Sequence, residues 1–201
     1  MQLNLRELFV LISCVLLSAC SQTIYWQEEV LLSSGQKITV NRTVELISAE
    51  VGKRRPTTYE IDAKNPSTGK KVNWEGSFGL GPIMLDFKDS QAFIVAIPMM
   101  CDAKIKKFST EGFPYIFMRS MDGNNWETIS PSQFPAEYKN INLSAGYDSY
   151  RIKKGVFQST EDVSKHNNDT EQSSSGFIQV SIPRSPQEWN YKYSKYYKGC
   201  S

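Results

Sequence analysis

The sequence predicts a mainly β protein: a single antiparallel β domain, sandwich or open barrel, with one carboxy-terminal α-helix and an amino-terminal signal peptide. Three observations predict it. Alternating or β-branched runs separated by turn residues follow one another from Tyr25 to Ile129, a helix start signal precedes an aromatic stripe near the end, and a ten-residue apolar run lies near the beginning.

That first run, Leu8 to Leu17, is too short for a bilayer span of about 20 residues but suits the core of a signal peptide. The flank before it holds one cation, Arg6, offset by Glu7. Leu17-Ser18-Ala19-Cys20 resembles the bacterial lipobox, in which small residues let the backbone enter the peptidase and the thiol receives diacylglycerol. The expectation is a signal peptide over 1–19, acylation of Cys20, a lipidated tether over 20–24 and one domain over 25–201. A short buried helix in which Cys14 and Cys20 pack is the plainer reading, and ordinary secretory cleavage at another small residue is a further alternative. Acyl chains contribute about 0.8 kcal/mol per buried methylene, so the modified cysteine would hold the protein at a membrane. Ser21 stands where an Asp would favour the inner membrane, and the resemblance implies an outer-membrane anchor facing the periplasm.

Tyr25 to Leu46 reads as two strands around a Ser-Ser-Gly turn, with Val30, Leu32, Ile38, Val40 and Val44 sharing a face. Further strands are expected at Thr57–Ile61, Lys70–Trp74, Ile83–Phe87 and Ala92–Ile97, with Gly76–Pro82 as a loop. A hairpin from Phe113 to Ile129 turns at Met121-Asp122-Gly123-Asn124-Asn125. Gln158 to Gly176 is polar and serine-rich and reads as a mobile loop, followed by a last strand at Phe177–Ile182. Ser185-Pro186-Gln187-Glu188 is a capping box that opens a helix over about 186–198. Trp189, Tyr193, Tyr196, Tyr197 and Cys200 share one face of it. Such a stripe packs on a sheet or stacks on a ligand's sugar rings, and packing is the simpler account.

The chain has 201 residues, 40% of them hydrophobic, and a formal net charge of +2. That supports a core of its own and lacks the cationic excess that nucleic-acid binding requires. With Cys14 removed and Cys20 acylated, Cys101 and Cys200 form the only remaining pair. An oxidising compartment permits a bridge, worth about 4 kcal/mol for a loop of about 100 residues. The alternative is a buried Cys101 and an exposed Cys200, both reduced. Two distant thiols and a single histidine point to no metal site, and nothing implies a cofactor.

No motif commits the chain to a reaction. Ser120-x-Asp122-Gly123-x-x-Trp126 looks like the Asp-box of sialidase propellers but is one residue short and occurs once, so an Asp-Gly turn with a core tryptophan accounts for it. His166 lies in the polar stretch without a G-x-S-x-G or S-x-x-K partner. Gly76 to Pro82 lacks the Lys-Ser/Thr of a phosphate loop. Glu28, Glu29, Glu60, Asp62, Asp86 and Asp89 are carboxylates from which an acid–base pair could be drawn, although any β domain of this size offers as many.

The segment from Trp26 to Val40, WQEEVLLSSGQKITV, resembles uncharacterised proteobacterial lipoproteins that share a W-x-E-E-V-x-L-x-x-G-x-x-I-x-V pattern behind a lipobox. The strand FPYIFMRS and the stretch Ser130–Pro135 are similar more loosely. The resemblance implies a location and supplies no catalytic residues. The expected role is non-catalytic binding of an envelope protein or glycan, or a structural role; the alternative is an envelope glycan hydrolase using paired carboxylates.

Overall fold

The computed structural model describes residues 21–50, 53–77, 80–98, 114–145, 155–173, 179–185 and 188. Among these, the strands are β1 (Gln22–Leu31), β2 (Lys37–Glu50), β3 (Lys53–Lys64), β4 (Lys71–Ser77), β5 (Leu80–Lys88), β6 (Gln91–Pro98), β7 (Ile116–Ser120), β8 (Trp126–Ile129) and β9 (Phe157–Gln158). One sheet has the order β4-β3-β2-β1-β9 and the other β5-β6-β7-β8. The strands within each are antiparallel, except that β9 runs parallel to β1. The architecture is mainly β, with two sheets that share a core rather than close into a barrel.

The first hairpin follows its sequence pattern. Val30, Leu32, Val40 and Val44 are buried and Ile38 packs against them, because successive side chains of a strand point to opposite faces. They meet Leu85, Ile94, Ile116 and Met118 of the second sheet in one apolar cluster. At about 1.5–3 kcal/mol for each large side chain buried, this cluster is the main force holding the sheets together.

β5 and β6 read as nearly continuous apolar runs because both of their faces are covered. Beyond the shared core, Ile83, Phe93, Val95 and Phe117 pack under Phe134, Tyr138, Ile141 and Ile182 from the segments that follow β8. Phe134 makes edge-to-face contacts with Phe93 and Phe117 at centroid separations of 5.6 and 5.0 Å. Arg184 lies over the Phe134 ring at 4.8 Å and donates to the carbonyls of Phe134, Pro135 and Tyr138. One side chain thus fastens the outer layer.

The structure departs from the sequence reading in three places. The polar stretch is not a loop: Thr160–Ser173 is helix α1. Its start is a reciprocal cap, with the Asp162 N–H donating to Ser159 Oγ and the Ser159 N–H donating to Asp162 Oδ2, and Glu161 and Asp162 complement the helix dipole. Among its described side chains Val163 and Asn167 are the buried ones, so no apolar period marks it. The expected last strand is absent from its described part, where Ser181 makes a single bridge to Asn140. The expected loop over Gly76–Pro82 is largely strand, because β4 runs to Ser77 and β5 starts at Leu80, where the chain changes sheets. The expected helix over 186–198 lies outside the described residues apart from Glu188.

Candidate functional site

On the outer face of the first sheet the register sets polar side chains in rows across the strands. One row runs Tyr25, Thr43, Glu60, Glu75; the next runs Gln27, Asn41, Asp62, Asn73. Phe157 of β9 stands beside Gln27 and extends the second row. Apolar neighbours in the sequence, such as Val40, Val44 and Ile61, point the other way into the core, which leaves amides, carboxylates and hydroxyls outside.

A wall rises at the β4 edge. The turn between β7 and β8 docks there: the Asn73 N–H donates to the Gly123 carbonyl at 2.8 Å and Trp126 Nε1 donates to the Asn73 carbonyl at 2.7 Å. Asn73 Nδ2 also donates to Asn124 Oδ1 at 3.1 Å. The edge strand is thereby covered. Floor and wall enclose a groove of about 580 Å³.

The turn is built for this docking. Asp122 Oδ1 accepts from the backbone N–H groups of Asn124 and Asn125, its Oδ2 accepts from Asn125 Nδ2, and these bonds hold its carboxyl well below the usual range. Gly123 has φ +91°, and a Cβ there would overlap the Lys71 carbonyl. The segment that looks like an Asp-box is a structural turn, and its tryptophan is only partly buried and lines the groove.

The groove's electrostatics are unbalanced. Glu60 and Glu75 are directly opposed on neighbouring strands, where like charges destabilise. Burial raises the Glu60 pKa, and Glu75 and Glu45 raise it further. Asp62, by contrast, is paired with Lys71 at 3.0 Å.

A second cleft, of about 450 Å³, lies between the first hairpin's turn, the segment around Glu137–Asn142 and α1. Asp86 is buried in its wall and accepts from the N–H groups of Ser33 and Phe87 at 2.7 and 2.8 Å. Burial raises its pKa, while Glu137 on the rim is held below the usual carboxylate range by its own backbone N–H and then by Lys88. Both Asp86 oxygens are committed to backbone donors, which makes the residue a fastening of the β1–β2 turn.

Glu28 and Arg42 form a buried ion pair at 2.9 Å between the sheets. Glu28 also accepts from Trp26 Nε1 at 2.6 Å and from the backbone N–H and hydroxyl of Ser144, while Arg42 stacks 5.2 Å from the Trp26 ring centroid. Every oxygen is occupied by protein and the pair lines neither the groove nor the cleft, so its work is structural.

The carboxylates singled out from sequence separate accordingly. Glu60 and Asp62 share the groove, Glu28 and Asp86 are interior fasteners, Glu29 pairs with Lys37 at 2.7 Å, and Asp89 occupies a β5–β6 turn position with φ +54°. His166 sits on α1 with Nε2 2.8 Å from the Ala145 carbonyl. Cys20, Cys101, Cys200, Trp189, Tyr193, Tyr196 and Tyr197 lie outside the described residues. Among the described residues no cluster of His, Cys, Asp or Glu is arranged to hold a metal ion, and no helix is long and apolar enough to cross a membrane. Sequence reasoning missed Asn41, Thr43, Asn73 and Glu75; their alternation with core residues was visible, but their assembly depends on register. Comparison with family models, curated proteins and solved structures gave no match for this chain.

Proposed function

We propose that the protein is a lipid-anchored cell-envelope binding protein that takes a saccharide on the outer face of its first sheet. The observation that carries this reading is the groove: two rows of amide, hydroxyl and carboxylate side chains, with Trp126 as a wall at one side. Sugar rings present equatorial hydroxyls, which need a dense mixture of donors and acceptors, and apolar C–H faces, which need an aromatic surface. The groove offers both. Its excess of acceptors over cations disfavours phosphorylated or sulfated ligands. The lipobox around Cys20 supports the placement, since a thioether-linked anchor holds the domain beside envelope glycans.

Calorimetric titration of the purified protein with soluble peptidoglycan fragments and N-acetylglucosamine oligomers tests the reading. Binding is expected, and Asn41→Ala with Thr43→Ala should weaken it by about tenfold, the loss of one to two hydrogen bonds. Absence of binding to every glycan, or binding indifferent to these two floor positions, overturns it.

A hydrolase is the second reading, favoured by the direct opposition of Glu60 and Glu75 and by the raised pKa of Glu60. Two neighbouring carboxyl groups, one of them with a raised pKa, are the kind of pair from which glycosidic cleavage draws its acid. Release of new reducing ends that Glu60→Gln abolishes, with glycan binding retained, would establish it.

A further inference from the structure

We infer that the projecting strand ends of β2 and β3 rest on anionic phospholipid headgroups and set the orientation of the domain on its membrane. The inference builds on the proposed acylation of Cys20. Gln22, the first residue of β1, pairs with Leu46, but β2 continues to Glu50 and β3 returns from Lys53. The hairpin therefore overshoots the start of β1 by four residues of β2, which at about 3.3 Å each is about 13 Å.

The incoming chain leaves the sheet at that same end, because β1 and β2 are antiparallel. Between Cys20 and Gln22 the backbone spans at most about 7 Å even when fully extended. A lipid on Cys20 brings the bilayer surface closer to Gln22 than the hairpin is long. The hairpin must then lie along the surface or enter the headgroup layer.

The end that reaches the membrane is cationic. Lys53, Arg54 and Arg55 follow one another at the start of β3, Arg54 and Arg55 are exposed, and Glu50 is the one acid between Ile47 and Arg55. Three cations at a surface of negative potential are each favoured, and guanidinium groups fork onto phosphate oxygens. Bulges between Glu45 and Leu46 and between Ser48 and Glu50 bend the strand pair just where it leaves the sheet. The polar groove, whose two rows lie three and five residue pairs further along the same strands from the Gln22–Leu46 pair, is thereby held a short, fixed distance above the leaflet.

Hydrogen exchange of the acylated full-length protein on vesicles tests this, with lipidation of the amino-terminal peptide verified by mass. On vesicles of phosphatidylglycerol and phosphatidylcholine, amides of residues 47–55 should exchange about fivefold slower or more than on phosphatidylcholine alone, the factor that one cation near an anionic surface contributes. The Lys53→Gln/Arg54→Gln/Arg55→Gln triple variant should lose the difference while remaining vesicle-bound, and Arg54→Lys/Arg55→Lys should keep most of it. Equal exchange on the two vesicle types, or slowing retained without the three charges, overturns the inference. An unmodified Cys20 overturns both the anchor and the geometry that depends on it, whereas absence of glycan binding leaves the hairpin result untouched.

Discussion

Glu28 and Ser144 stand 116 residues apart in the chain, and the carboxylate of the first accepts from both the backbone N–H and the hydroxyl of the second. The contact belongs to a set of side chains that hold residues 142–145 over the open seam between β1 and β5. Asn142 donates to the carbonyls of Leu31 and Leu85 and accepts from the Leu85 N–H. Asn167 of α1 donates to the Leu143 carbonyl and accepts from the Ala145 N–H at 3.0 and 2.9 Å, as a neighbouring strand would.

Asn167→Ala should destabilise the fold by about 2 kcal/mol, because it leaves a buried carbonyl and a buried N–H unsatisfied. Asn167→Asp should cost at least as much, since it keeps the acceptor and sets a charge against the Leu143 carbonyl. Urea midpoints at neutral pH measure both, and wild-type midpoints would show that Asn167 does not hold the segment.

Removing one partner of the Glu28–Arg42 pair strands a buried charge, so Arg42→Met should cost about 3–5 kcal/mol. The double variant Glu28→Gln/Arg42→Met should recover part of that loss. A double-mutant cycle in urea reads the coupling, and strictly additive losses would contradict the interdependence drawn from the geometry.

Glu60 carries a raised pKa in the folded protein, so the fold binds its proton more tightly than the unfolded chain does. Its contribution to stability is therefore favourable at acid pH and falls as the pH rises from its unfolded value, about 4.3, through its folded value. Glu60→Gln should raise the melting temperature at pH 7 and leave it nearly unchanged at pH 3. Scanning calorimetry at the two pH values decides it; a lower melting temperature at pH 7 would mean that an attraction offsets the repulsion from Glu75.

Gly123→Ala combines a left-handed backbone with overlap on the Lys71 carbonyl. The expected loss is about 1–3 kcal/mol. The Trp126 indole should also shift in the NMR spectrum, because its Nε1–H depends on the same docking.

Sequence legibility followed apolar periodicity. Val30, Val40 and Val44 announced the first hairpin, and the runs around Ile83–Phe87 and Ala92–Ile97 announced strands, because burial in a sheet leaves a period or a continuous run. Helix α1 left neither trace, since it is fixed by Val163, by the amide of Asn167 and by a cap at Ser159 rather than by an apolar stripe. That cap was present in the sequence as Ser159-Thr160-Glu161-Asp162. Arg42 was hidden differently: its place on the inner face follows from alternation with Val40 and Val44, but a strongly hydrated cation there makes sense only once Glu28 is seen opposite it. The groove was least legible, because Asn41, Asp62 and Asn73 become neighbours only through the pairing of three strands.

Floor and wall of the groove come from different sheets: Asn41, Glu60 and Asn73 ride on one, Asn124 and Trp126 on the other. Its width is a reading of how far apart the two layers lie. Trimming a methyl group from Leu85 or Ile94, which do not line the groove, would let the layers settle and change its width.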